Sequence, residues 1–266
     1  MKTQAFLLAL WCVICALTAT SASATLIGRD LSNQTTVGLI SYQNAFTDAF
    51  GSSSDGAQIY RRGAGSVPLV FLDDSLASAN DSLGIIKAAD AAPFFGIVDT
   101  TNPDNLSGDV NAIWLFDING FNQLSLAIDI AAMGDFEPSD IFSIEYQLDG
   151  GAWQLMLSGT ADNAGQQTYQ LENGNTTTLD DPMAVSGVNL TNSFTSFNQM
   201  VVNTGSTLGV RISANTNGGT EAIAFRNIRV NGTALSASPV EVPEPSYLAA
   251  GILLLMSVSR IIQLKP

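Results

Sequence analysis

The chain is 266 residues long, 46% hydrophobic, with 24 aspartates and glutamates against 10 lysines and arginines and no histidine. A net charge of −14 repels polyanions and argues against a nucleic-acid partner. The lack of histidine excludes His-dependent triads and imidazole metal ligands, and both cysteines, Cys12 and Cys15, lie in the first apolar segment, so the remainder has no disulfide.

Taken in chain order, Lys2 supplies a positive start, Ala5 to Leu17 an apolar core, and Ala22-Ser23-Ala24 a small-residue cleavage site. This is the pattern of a secretory signal peptide over residues 1–24, cut after Ala24 by signal peptidase. Residues 25–235 follow as the exported region. Between Thr25 and Glu241 seven lysines and arginines face twenty-three acidic residues, a net charge of −16.

Strand patterns dominate this region. Trp114, Phe116 and Ile118 share one face, as do Leu124, Leu126, Ile128 and Ile130, with Ser125 and Asp129 opposite. Phe142, Ile144, Tyr146 and Leu148 alternate with polar residues, Asp149-Gly150-Gly151 supplies a turn tolerant of positive φ, and Trp153, Leu155 and Leu157 resume the alternation. This predicts a β-hairpin with all three on the inward side. Leu208, Val210 and Ile212 point inward and Arg211 outward. In the last run Ile223 and Phe225 occupy odd positions but Ile228 and Val230 even ones, which predicts a β-bulge near Arg226–Asn227. A short helix competes only over 75–92. The predicted fold is all-β: a two-sheet antiparallel sandwich of jelly-roll type.

Residues 236–246 form a linker containing Val242, Pro243, Glu244 and Pro245, and 247–266 a C-terminal hydrophobic helix with a basic end. The seventeen residues from Leu248 to Leu264 would reach roughly 25 Å as a helix, short of a hydrocarbon core about 30 Å thick. Arg260 and Lys265 fit a cytoplasmic end, and the two prolines keep the linker extended and open to a protease.

The order Val242-Pro243-Glu244-Pro245, short apolar helix and basic end resembles the PEP-CTERM sorting signal of Gram-negative exosortase substrates. One departure is that the terminal basic cluster is split between Arg260 and Lys265. The resemblance implies passage through the inner membrane, an exosortase as partner, C-terminal processing near Pro243–Pro245, and residence at the cell surface or in extracellular matrix, exopolysaccharide or biofilm. A second resemblance spans Ile113 to Gly232. Leu208 to Ile212, the Gly218-Gly219 loop and Glu221 to Val230 are similar to the closing strands of secreted bacterial galactose-binding-like or concanavalin-like jelly rolls. Arg226 stands where that pattern carries aspartate, which counts against a cation site on the last strand.

For chemistry, Asp135, Glu137 and Asp140 fall in one loop, and Glu221 approaches from the closing strands. Such carboxylates either hold calcium or serve as solvated loop residues. Trp114, Trp153, Tyr146, Tyr169 and Phe94-Phe95 are either core or a sugar-stacking platform. The leading expectation is a non-enzymatic surface or matrix protein with a structural or adhesive role. The alternatives are a carbohydrate-binding module, with or without calcium, and a carboxylate-based glycoside hydrolase.

Overall fold

The computed structural model describes residues 23–235 apart from 48, 51–53, 61–66, 74 and 76–83. The apolar leader, Val242 to Pro245, and the expected C-terminal helix with Arg260 and Lys265 lie outside the described residues. Among the described residues no helix is long and apolar enough to cross a membrane.

Among the described residues seventeen strands run in order β1 (Thr25–Asp30), β2 (Leu39–Asn44), β3 (Gly56–Tyr60), β4 (Leu72–Asp73), β5 (Ile86–Lys87), β6 (Phe94–Val98), β7 (Val110–Asp117), β8 (Phe121–Met133) and β9 (Ile141–Leu148). They continue with β10 (Gln154–Ala161), β11 (Gln166–Gln170), β12 (Thr176–Asp180), β13 (Met183–Val185), β14 (Val188–Asn189), β15 (Thr195–Met200), β16 (Thr207–Asn215) and β17 (Ala222–Ala234). One sheet has the order β15-β8-β17-β6-β3 with β1 also paired to β17, and the other the order β14-β13-β10-β9-β16-β7-β2. Every pairing within them is antiparallel. The chain crosses between sheets at β1–β2, β2–β3, β6–β7, β7–β8, β8–β9, β14–β15, β15–β16 and β16–β17, and this repeated crossing makes a sandwich of jelly-roll type. In the predicted helical region, the described residues instead contribute β5. The region before Asn111 adds β1, β2, β3 and β6 to the two sheets.

The predicted inward alternation holds in β7, β8, β9 and β16. Trp114, Phe116, Ile128, Ile130, Ile144, Val210 and Ile212 are fully buried in the core between the sheets. Burying Trp114 creates a polar obligation, which is met when its Nε1–H donates to Asp30 Oδ2 at 3.0 Å. The predicted bulge is present: the register of β17 against β8 shifts between Arg226 and Arg229, and Asn227 takes a φ of 51°. Its backbone N–H, turned out of the ladder, donates to Leu31 O at 2.8 Å. Ile223, Phe225, Ile228 and Val230 therefore all reach the same core.

A second apolar cluster lies on the other side of the six-stranded sheet. Phe94, Val98, Met133, Ala222 and Ala224 pack there with Phe71, Ile85 and Ile86 of the 67–92 segment and with Tyr169 and Leu171. All five residues of β6 are buried as a result. The seven-stranded sheet carries no such second cluster among the described residues.

Candidate functional site

The outer face of the seven-stranded sheet is built by strand register. Ile113, Arg211, Glu145 and Leu155 lie side by side on β7, β16, β9 and β10. The next outward row is Asn111, Ser213, Ser143 and Ser158, and beyond it come Asn215, Ile141 and Thr160. Together with Asp109, these last two rows and Arg211 line a trough of about 430 Å³ whose floor includes Phe142 and Gly159. The size is that of a small-ligand site, and the mixture of an apolar floor with a few hydroxyl and amide groups is that of such a site.

Several contacts hold this face rigid. Arg211 donates to Glu145 Oε2 from Nε at 2.8 Å and from Nη2 at 2.6 Å. Asn215 Nδ2 donates to Asp109 Oδ1 at 3.0 Å and to Ser107 O at 3.2 Å, while Thr101 Oγ1 donates to Asn215 Oδ1 at 2.8 Å. Trp153 lies over the face beside Arg211, near Gly209. The guanidinium carbon lies 4.3 Å from the indole centroid, within cation–π range. Gly209 makes room for it: a Cβ there would come within 2.8 Å of Gln147 Cγ and 3.3 Å of Trp153 Cη2.

The expectation that Trp153 and Leu155 point inward is corrected. The register of β10 against β9 shifts between Leu155 and Leu157, so only Leu157 packs on the core. Leu155 is 62% exposed, and Trp153 is half-buried over Arg211 on the outer face. The other aromatics considered for sugar stacking are internal. Trp114, Tyr146 and Phe95 belong to the central core, and Tyr169 and Phe94 to the second cluster.

The four loop carboxylates divide. Glu137, Asp140 and Glu221 each bring a carboxylate oxygen within 4.8 Å of the other two, whereas Asp135 is not a member of the group. Phe136 decides this, because its ring is buried in the core and its N–H donates to Asp181 O. Asp135 is left exposed, its carboxyl pushed upward by desolvation and by the charges of Asp181, Asp180 and Glu137. Asp140 is fully buried and Glu221 is 3% exposed. The backbone N–H of Glu137 donates to Asp140 Oδ2 at 2.7 Å, and that of Asn217 to Asp140 Oδ1 at 3.1 Å. Burial raises Asp140 above the ordinary carboxylate range. Burial first and the neighbouring charge of Asp140 second push Glu221 up to about 9.

The last strand offers no carboxylate at position 226. Arg226 Nη1 donates to Asp90 Oδ2 at 2.8 Å, and its guanidinium carbon lies 3.7 Å from the Phe194 centroid.

No protein-family model and no curated protein matches the sequence. Similar solved structures include the CBM22-1 and GH10 modules of a Clostridium thermocellum endo-1,4-beta-D-xylanase with xylohexaose, at 6% identity and a TM-score of 0.35, covering 81% of this chain and 30% of that one. The chain thus spans under a third of that structure's length. Others are the K2 cleaved adhesin domain of Lys-gingipain, at 12% identity and a TM-score of 0.36 over 79% of this chain and 98% of that one. The CBM22-1 xylan-binding domain from Paenibacillus barcinonensis Xyn10C stands at 9% and 0.32, over 82% and 100%. Similarity at this level concerns strand arrangement and does not extend to ligands.

Proposed function

We propose that the chain is an exported, non-catalytic glycan-binding sandwich, carried to the cell surface by its PEP-CTERM-like end. The observation that supports binding is the outer face of the seven-stranded sheet, where Arg211 and rows of serine, threonine and asparagine line one trough, with Glu145 paired to Arg211 and the Trp153 indole stacked on its guanidinium. Hydroxyl and amide side chains both donate and accept, as the hydroxyls of a sugar require. An indole offers an apolar surface for the C–H face of a pyranose. The acidic balance of the chain disfavours uronate- or sulfate-rich polymers, so the ligand class is a neutral polysaccharide. Export and sorting rest on residues 1–24 and 236–266, with exosortase and signal peptidase as processing partners and the inner membrane as a transient station.

A hydrolytic role fits the site less well. Glycosidases place two carboxyls on opposite sides of the scissile bond, with about 5 to 9.5 Å between them. The carboxylates that converge here turn an oxygen each toward one common point, and Asp140 and Glu221 are buried where no glycan chain reaches them. On the open face Glu145 is held by Arg211.

The test is retention of the exported protein on native exopolysaccharide and on neutral glycan panels. Wild type is expected to be retained, and Trp153→Ala and Arg211→Ala to be retained at least about tenfold less, in line with the value of stacked aromatic contacts. Equal retention of all three proteins would remove this face from the reading. Replacing Pro243-Glu244-Pro245 with alanines is expected to leave unprocessed precursor in the inner membrane. Normal release of that mutant would refute the sorting assignment.

A further inference from the structure

The loop between β8 and β9 and the loop between β16 and β17 meet at Glu137, Asp140 and Glu221. We propose that these three carboxylates form a site for one calcium-class divalent cation that clamps the two loops together. This site shares no residue with the trough and does not rest on the glycan reading.

Three observations carry it. The first is spacing. Oxygens sharing one calcium at 2.3–2.6 Å can stand no farther apart than about 5 Å, and those of Glu137, Asp140 and Glu221 all lie within 4.8 Å of one another. The second is Glu221 itself. It is 97% buried by its 3% exposure, it faces two other carboxylates, and its Oε2 has no hydrogen-bond partner. A buried polar oxygen without a partner is costly unless a donor or a cation meets it, and the two side chains that converge on it are acidic. The third is that the chain makes room for this side chain. A Cβ on Gly218 would approach Glu221 Oε1 to 2.3 Å, and one on Gly134 would approach its Cα and Cγ to 2.8 Å.

The donor chemistry selects the ion. Three carboxylates, with no histidine or cysteine among the ligands, are hard oxygen donors suited to calcium and unsuited to zinc or copper. Asp140 is held in place by backbone N–H groups from both loops, leaving its outer lone pairs for the metal. Glu137 is exposed, so it gives the ion a route in from solvent, and water completes the six to eight positions calcium takes.

The test uses the full-length chain purified in detergent, stripped with EDTA, then titrated with CaCl2 by calorimetry and followed by thermal denaturation. MgCl2 serves as the comparison ion. One calcium is expected to bind per chain, with the midpoint rising by about 5–10 °C at a hundredfold excess over Kd. Glu221→Gln and Glu137→Gln are expected to weaken binding by about tenfold or more, since affinity follows ligand charge. Glu137 is exposed, so its variant stays folded whatever the core variant does. A folded wild type that shows neither heat nor a shift would overturn the site. Equal binding by wild type and both variants would also overturn it, because the calcium would then be held diffusely by the acidic surface.

Discussion

The two sheets expose opposite chemistry on their outer faces. On the six-stranded sheet, Phe94, Val98, Met133 and Ala224 are covered by Phe71, Ile86, Tyr169 and Leu171. On the seven-stranded sheet the corresponding positions are Ser143, Ser158, Ser213, Asn111 and Arg211, left open as a trough. Both are strands of one sandwich, so backbone geometry does not separate them. The difference lies in composition: Phe94 to Val98 is apolar at every position and is buried on both sides, whereas β9 and β16 alternate and need cover on one side only; β7, apolar from Ala112 to Phe116, leaves Ile113 and Leu115 half-buried on the open side. The covered face serves stability and the open face is available for recognition.

That contrast breaks most directly at Phe71. Its ring is fully buried and packs 5.3 Å from Phe94 and 5.4 Å from Tyr60, centroid to centroid. Phe71→Ala is expected to cost about 3–5 kcal/mol in denaturant unfolding while leaving glycan retention of the folded fraction unchanged. Trp153→Ala should do the reverse, lowering retention strongly at a stability cost of about 1 kcal/mol. If Trp153→Ala proved as destabilising as Phe71→Ala, the open face would be a structural surface and the division between the faces would fail.

A smaller effect is expected at the bulge. Asn227 has a φ of 51°, its Nδ2 donates to Asp129 Oδ2, and its position lets odd-numbered and even-numbered apolar residues share one core. Asn227→Val places a β-branched residue in the left-handed region and removes that hydrogen bond, for an expected loss of about 2–3 kcal/mol. Asn227→Gly relieves the backbone and should lose about 1 kcal/mol, mainly the hydrogen bond. Equal losses in equilibrium unfolding would mean that the backbone conformation contributes nothing.

The two bulges also separate what is legible in the sequence from what is not. In β17 the apolar residues themselves change parity, from Ile223 and Phe225 to Ile228 and Val230, so the phase shift is written in the hydropathy pattern. In β10 the parity of Trp153, Leu155 and Leu157 is uniform, and the shift between Leu155 and Leu157 leaves no mark in the pattern. That is why the alternation assigns Trp153, the aromatic of the open face, to the interior. Hydropathy sees whether a residue is apolar, and a bulge moves it without changing that. The loop carboxylates are partly legible for a related reason. Glu137, Asp140 and Glu221 converge because β9 pairs with β16 while β8 pairs with β17, which sets their two connecting loops side by side. Asp135 stays apart because the Phe136 ring between it and Glu137 turns into the core. The trough is not legible, since its serines and asparagines are ordinary strand-exterior residues until the sheet order lines them up.

The mildest probe of the comparison is optical. Burial pushes Tyr60 and Tyr169 of the covered side, and Tyr42 at the sandwich edge, up to about 12 from an ordinary value of 10. These folded-state values lie above the unfolded one, so the stability they contribute is full below pH 10 and is lost as pH rises through 12. A spectrophotometric titration should therefore show Tyr42, Tyr60 and Tyr169 ionising late, with unfolding setting in across the same window. Tyr60→Phe removes one phenol from the late phase and should lessen the alkaline loss, because a ring with no hydroxyl has no charge to bury. Were Tyr60 to ionise near pH 10 in the folded protein, the outer face of the six-stranded sheet would admit water, and the two faces would differ in composition but not in cover.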